Sequence, residues 1–133
     1  MRVPGREVDR NIADSGASML MLEGKRVYLA CGQTDMRKSI NGLALIVEYS
    51  FKLDPYTGAL FVFCNRPRNR VKILEWDGDG FWLHFKRLEK GRFRWPAPGE
   101  DATMSLSGEE LAYLLGGTRV ELKLRRTDVF GRK

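Results

Sequence analysis

Residues 59–88 read ALFVFCNRPRNRVKILEWDGDGFWLHFKRL, and this stretch decides the fold. It contains three runs rich in β-branched and aromatic residues, Ala59–Cys64, Arg70–Asp77 and Phe81–Leu88. A basic, proline-containing loop separates the first two runs, and an Asp-Gly turn separates the last two. Apolar runs bounded by Gly, Pro, Asn and Asp are typical of strands joined by tight turns. The stretch therefore predicts an antiparallel β-meander.

A fourth strand, Arg92–Trp95, is predicted to follow, with Phe93 and Trp95 inward and both arginines outward. Side chains alternate between the two faces of a strand, so the meander is predicted to bury one face and expose the other. The residues predicted to share the exposed face are Arg70, Lys72, Trp76, Trp82, His84, Lys86, Arg92 and Arg94.

The segment before the meander predicts a buried strand, Lys25–Cys31, and then an amphipathic helix of about four turns. Apolar residues recur at helical spacing from Met36 to Phe51, and Thr34 or Asp35 could provide the N-cap side chain.

The segment after the meander predicts a loop over residues 96–103 and a short C-terminal helix. Ser107 and Glu110 have the spacing of a capping box, and Gly116-Gly117 provides the stop. Val120, Leu122 and Leu124 alternate with charged residues, which suits an edge strand or the ordered start of a basic tail. The prediction is a single α+β domain.

The predicted domain occupies residues 19–126, between a flexible leader, residues 1–18, and a basic tail, residues 127–133. The leader has mixed charge, turn formers and no apolar period. Met19 or Met21 could be the true start.

Basic charge is concentrated in two blocks of this 133-residue chain, whose net charge is +6. Residues 59–96 hold nine Lys/Arg and four Asp/Glu, and residues 119–133 hold six and two. Residues 97–118 hold four acids and no base. Clustered basic charge indicates a polyanionic partner, of which nucleic acid is the commonest.

Several classes of protein are disfavoured. No apolar run approaches the roughly 18 residues of a membrane span, and the start lacks the apolar core of a secretory signal. A cytoplasmic location is therefore expected. Cys31 and Cys64 form no C-x-x-C pair and, with His84, are too few for a usual structural zinc site. Buried free thiols are the expected state.

The exposed face is the first candidate site. Cations can neutralise phosphates there, and tryptophan rings can stack on unpaired bases. A solvated face whose tryptophans meet a helix or a partner protein is the alternative. A second candidate is the loop Asn65–Arg70, in which proline stiffens a segment bearing three arginines that match phosphate geometry. An ordinary solvated loop remains its alternative.

Two weaker candidates lie elsewhere. Arg37 and Lys38 would stand on the first turn of the long helix, against its dipole, unless Asp35 caps the helix and pairs with them. Glu75–Gly80 has some features of an acidic metal loop, but an Asp-Gly hairpin turn explains it fully. Catalysis has little support, because His84 has no visible nucleophile partner and no phosphate-binding glycine loop is present.

Longer motifs carry a family resemblance. VYLACGQTDMRKSINGLALIV, and then DPYTGALFVFCNRPRNRVKILEWDGDGFWLHFKRLEKGRFRWP, resemble the TnpB accessory protein of insertion sequence 66 (IS66) transposable elements over about residues 24–117. The resemblance implies a role in transposition beside a separate, larger transposase, and it brings no catalytic residues. The matching motif positions are Asp35, Arg37, Lys38, Asn65, Arg66, Arg68, Arg70, Lys72 and Trp76.

The resulting hypothesis is a non-catalytic accessory protein that binds element DNA, with no cofactor, metal or small-molecule substrate. The predicted contacts are Arg37, Lys38, Arg66, Arg68, Arg70, Lys72, Lys86, Arg92 and Arg94 for phosphates, with Trp76 and Trp82 for stacking. The alternative is a protein–protein adaptor that docks on the transposase without touching DNA. A nuclease or RNA-processing enzyme, in which metal-dependent cleavage would require Asp77 and Asp79, is a remote third hypothesis.

Overall fold

The computed structural model describes residues 22–116 and the backbone of residues 7–9. Its regular elements, in chain order, are β1 (Glu7–Asp9), β2 (Val27–Ala30), α1 (Ile40–Leu45), β3 (Leu60–Cys64), β4 (Arg70–Trp76), β5 (Phe81–Arg87), β6 (Thr103–Leu106) and α2 (Gly108–Leu115). Helix α1 continues into a wider π-helical turn, Ile46–Ser50. The predicted C-terminal strand and basic tail lie outside the described residues.

The sheet has the order β1-β5-β4-β3-β2-β6, and it is mixed. Strands β3, β4 and β5 form the predicted antiparallel meander. Strand β2 pairs parallel with β3, and α1 makes the crossover between them. The α+β fold with one long helix and one short C-terminal helix is confirmed.

Both faces of the sheet are buried, so the prediction of one solvated face is wrong. Helix α1 packs Ile40, Leu43 and Val47 against one face, which we call the α1 face. Helix α2 covers the other, the α2 face, with Leu111 and Leu115. Since β3 is buried at every position, it carries the continuous apolar sequence LFVFC rather than an alternating one.

Residues 92–95 are irregular, so the predicted fourth strand is also wrong. Phe93 and Trp95 are buried against the α2 face as predicted, but no sheet ladder holds them. Instead, the Phe93 amide donates to the Arg68 carbonyl at 2.7 Å, and the Trp95 indole donates to the Ala30 carbonyl at 2.8 Å. The strand that follows, β6, begins at Thr103, the last residue of the predicted loop, and the sequence predicted no strand there.

Of the two helix N-termini predicted from sequence, one is confirmed and the other is wrong. The capping box of α2 is confirmed, because Ser107 Oγ accepts from the Glu110 amide and the Glu110 carboxylate accepts from the Ser107 amide. The predicted N-cap of α1 is wrong, since the helix begins at Ile40 after Ser39. Residues 7–9 of the predicted leader form β1 beside β5. Where the folded domain begins stays a prediction.

Candidate nucleic-acid interface

The loop between β3 and β4 is held in one shape by the side chain of Asn65. Its Oδ1 accepts from the Asn69 and Arg70 amides at 2.9 and 3.0 Å, and its Nδ2 donates to Asn69 Oδ1 at 2.8 Å. Arg68 occupies the left-handed region at φ 63°. The loop is therefore a fixed platform from which the exposed side chains of Arg66 and Arg68 project.

Other cations converge on this end of the sheet. Arg70 opens β4 and lies opposite Arg87, the last residue of β5. The hydrogen bond from the Phe93 amide to the Arg68 carbonyl brings residues 92–94 alongside the loop. Residues 34–38 also pass here, because the Thr34 amide donates to the Cys64 carbonyl at 2.7 Å. We call the resulting set the basic edge: Arg37, Lys38, Arg66, Arg68, Arg70, Arg87, Arg92 and Arg94, all of them exposed.

Few acids oppose this charge. Glu89 pairs with Arg87 at 3.0 Å, and Asp35 pairs with Arg37 at 2.8 Å, both on the surface. Among residues 22–116, no carboxylate forms an ion pair with Arg66, Arg68 or Arg70. The guanidinium groups of the loop are therefore available to an external anion. Arg87 was absent from the residues predicted from sequence, since an unknown register gave no reason to place it beside Arg70.

Asp35 and Arg37 form a closed pair ahead of α1 and do not cap it. Both carboxylate oxygens accept from the Arg37 guanidinium, at 2.8–3.1 Å, and Oδ1 also accepts from the Arg37 amide. These hydrogen bonds, from the side chain first and then the backbone, lower the pKa of Asp35 to about 2. The pair stays ionised at neutral pH, so Asp35 competes with any phosphate for Arg37.

If the cations of the basic edge bind DNA phosphates, replacing Asp35 with asparagine is expected to strengthen that binding about threefold, because Arg37 is released from a weak, solvent-screened surface ion pair. The slope of log affinity against log salt should steepen by about 0.9 if Arg37 then neutralises one more phosphate. Fluorescence anisotropy across a salt series measures both quantities. Asp79→Asn makes the same charge change at the opposite end of the sheet. An equal gain from both variants would reflect net charge alone.

Lys72 and Lys86 were predicted to lie on the exposed face, and that placement is wrong. Both are only 5% exposed. The Lys72 ammonium donates to the carbonyls of Met36 and Lys38, and thereby ties the segment before α1 to β4. The Lys86 ammonium donates to the Leu115 carbonyl at 2.9 Å. A cation there satisfies a terminal carbonyl and complements the helix dipole of α2.

Trp76 and Trp82 lie at the opposite end of the sheet from the basic edge. Trp76 lies six positions after Arg70 along β4, about 20 Å away at about 3.3 Å per residue. Trp76 packs edge-on against Tyr56 and Phe81, with ring centroids 5.0 Å apart. The Trp82 indole donates to Asp77 at 2.9 Å. The predicted surface that combined these tryptophans with the arginines therefore does not exist.

His84 belongs to a buried polar network. Its Nε2 lies 3.0 Å from Glu75 Oε1, and Lys25 Nζ lies 3.1 Å from Glu75 Oε2. Burial would raise the pKa of Glu75, but hydrogen bonds from His84 and Lys25 hold that pKa below its ordinary value. Both cysteines are free, and burial raises the pKa of each thiol, that of Cys64 to about 12, which disfavours the nucleophilic thiolate.

The described residues contain no cluster of three or more His, Cys, Asp or Glu side chains suited to a metal ion. Within the same part of the chain, no helix is long and apolar enough to cross a membrane.

Fold and site together define a small α+β protein whose distinctive surface is a cationic end of its sheet. The chain belongs to the IS66 Orf2-like (TnpB) family, whose model matches residues 25–125. This membership assigns it an accessory role in transposition.

Two relatives come from Sinorhizobium fredii (strain NBRC 101917 / NGR234). The uncharacterized protein y4hO is 45% identical over 92 residues, covering 69% of this chain and 79% of y4hO. The uncharacterized protein y4jC is 38% identical over 103 residues, covering 75% of this chain and 87% of y4jC. No solved structure matches the chain.

Proposed function

We propose that the protein binds element DNA during transposition, through the phosphates that its basic edge contacts. The observation that carries the proposal is the convergence of cations from four separate chain segments on one end of the sheet. Such a set neutralises several phosphates at once and releases their counterions. Phosphate contacts give position and affinity, whereas base contacts give sequence preference. A cytoplasmic location, where element DNA is accessible, accords with this role.

A salt-titrated binding assay tests the proposal. Labelled terminal inverted repeat, scrambled duplex and single strand are each titrated with purified protein across a range of salt concentrations. Log affinity is expected to fall with log salt with a slope steeper than about −3, which corresponds to at least three or four neutralised phosphates. Absence of binding to all three probes at low salt would overturn the proposal.

A second candidate function is an adaptor that docks on the transposase. The specific observation is an exposed apolar stripe on α1 and its π-helical continuation, where Leu45 is 53% exposed and Tyr49 70% exposed. Residues four apart lie on one side of a helix, so the two side chains form a single patch. Helices that dock in a groove of a partner use anchors at this spacing.

For the adaptor, replacing Leu45 and Tyr49 with alanine is expected to reduce co-purification with transposase at least tenfold after nuclease treatment. Truncating two apolar anchors costs more than the 1.4 kcal/mol that corresponds to this factor. The control replaces the exposed Met104 and Glu109, which lie on β6 and α2 and therefore away from this patch, with alanine. Retention of the transposase by the Leu45/Tyr49 variant would remove the adaptor candidate.

A further inference from the structure

A cavity of about 620 Å³ lies beside the basic edge, at the carboxyl ends of the parallel strands β2 and β3. Its volume falls within the range of about 300–1,000 Å³ usual for sites that hold small organic molecules. The crevice outside the carboxyl ends of parallel strands is also the usual place for ligands in open α/β sheets. The sequence did not indicate this cavity, because the parallel pairing of β2 and β3 was not predicted.

One wall of the cavity is apolar and rigid. It is formed by Trp95, Pro96, Ala97 and Pro98. The indole of Trp95 is anchored by its hydrogen bond to the Ala30 carbonyl. The Gly32 amide donates a hydrogen bond to the Pro96 carbonyl at 3.0 Å. This wall lies directly against the end of β2, because a Cβ at Gly32 would lie only 3.3 Å from Pro98. Gly32 also has φ +81°, a conformation that favours glycine.

The rest of the lining includes cationic and polar residues. Arg66 and Arg68 line the cavity from the platform that Asn65 fixes, and the exposed Gln33 also lines it. A ligand that satisfies both parts of the lining must combine a flat apolar body with negative charge and hydrogen-bonding groups. A nucleotide has this combination, and Arg binds phosphate through two parallel hydrogen bonds.

We propose that this cavity accepts one unpaired nucleotide of single-stranded DNA, with its base against the Trp95–Pro98 wall and its phosphate on Arg66 and Arg68. The inference rests on the proposed function, and it adds a strand preference to it. In duplex DNA the base is stacked inside the helix and cannot enter a cavity. An unpaired base can enter, so single strands gain contacts with the apolar wall that duplexes do not make.

The test fills the cavity without removing a cation. Ala97 is exposed on the apolar wall, so Ala97→Leu occupies space there with little effect on the fold and without adding an aromatic ring on which a base could stack. We expect about a tenfold loss of affinity for a single-stranded oligonucleotide, since contact between a base and a protein wall contributes about 1–3 kcal/mol. Affinity for the matching duplex should change less than about twofold. Ala112→Leu, on the exposed side of α2, is the matched control.

A second readout uses the wild-type protein. Cys31 lines the cavity and is half-buried, whereas the chain's other cysteine, Cys64, is fully buried. Burial raises the pKa of the Cys31 thiol, so alkylation is followed at about pH 8.5, where more thiolate forms. Saturating single strand is expected to slow alkylation at least about fivefold, and saturating duplex to leave it unchanged, because only an occupied cavity shields the thiol.

The outcomes separate the two proposals. If wild-type protein binds both probes and Ala97→Leu affects both equally or neither, the proposal of a nucleotide cavity is overturned while the proposal of DNA binding stands. Alkylation of Cys31 at an unchanged rate in the presence of saturating single-stranded DNA would also overturn the proposal of a nucleotide cavity. Wild-type protein that binds neither probe would overturn the proposed function, and the nucleotide cavity with it.

Discussion

Replacing Arg66, Arg68 and Arg70 together with alanine is expected to lower the affinity for DNA about a hundredfold at about 0.1 M salt. Each exposed cation near a phosphate contributes about 1 kcal/mol, and 1.4 kcal/mol corresponds to a factor of ten. The salt slope should also flatten by up to about 2.7, or 0.9 for each lost phosphate contact. Since Asn65 fixes the loop and its own side chain is untouched, the platform should keep its shape.

A matched control is needed because the triple variant also reduces the net charge. Arg26 is exposed at the amino end of β2, the end opposite the basic edge. Arg26→Ala therefore removes one charge without touching the proposed surface, and it should change affinity less than about twofold. If Arg26→Ala matches the loss per charge of the triple variant, the basic edge is not the binding surface. An unchanged salt slope in the triple variant would lead to the same conclusion.

The local features of this site were predictable from sequence. Three arginines around a proline between two strands indicated a cationic loop, and the structure has that loop between β3 and β4. Turn residues fixed the hairpin between β4 and β5, whose turn closes with the Asp77 amide donating to the Gly80 carbonyl at 3.1 Å. These predictions are correct because each depends on residues close together in the chain rather than on the partner strand.

The faces of the strands were not predictable in the same way. Trp76 pairs with Phe81 across a turn of residues 77–80, so even-numbered residues of β4 share a face with odd-numbered residues of β5. The sequence hypothesis had placed even-numbered residues of both strands together. Shifting a pairing by one residue moves every side chain of one strand to the other face. Lys72 consequently lies on the α1 face and Lys86 on the α2 face.

The burial of both lysines shows why charge in a strand is a poor indicator of exposure. A lysine stem can cross a packed face when its ammonium finds acceptors beyond that face. The Met36 and Lys38 carbonyls serve Lys72 in this way, and the Leu115 carbonyl serves Lys86. Those acceptors come from segments 29–36 residues away, which one sequence cannot place. The continuous apolar run in β3 was the available sign that helices cover both faces.

Replacing Phe93 with alanine is expected to reduce the free energy of unfolding by about 3–5 kcal/mol, the usual cost of truncating a fully buried aromatic residue. Phe93 is 1% exposed in the cluster that α2 completes, and its ring meets that of Trp95 with centroids 6.5 Å apart. Urea unfolding followed by circular dichroism measures the change as a shift in midpoint at constant slope. The neighbouring variant Arg92→Ala, at an exposed position, should stay within about 0.5 kcal/mol of wild type.

The loss of stability in Phe93→Ala also shows whether core packing holds residues 92–94 of the basic edge in position. Residues 92–95 have no sheet ladder, so we expect the burial of Phe93 and Trp95, in addition to their hydrogen bonds to the Arg68 and Ala30 carbonyls, to hold the arginines on either side of Phe93 in place. If so, Phe93→Ala should weaken DNA binding even after correction for the unfolded fraction, because Arg92 and Arg94 lose their fixed positions beside the loop. A stability loss below about 1 kcal/mol, within the range of surface substitutions and mild repacking, would mean that other contacts hold the segment. Arg92 and Arg94 would then be positioned by the hydrogen bond from the Phe93 amide to the Arg68 carbonyl rather than by packing in the core.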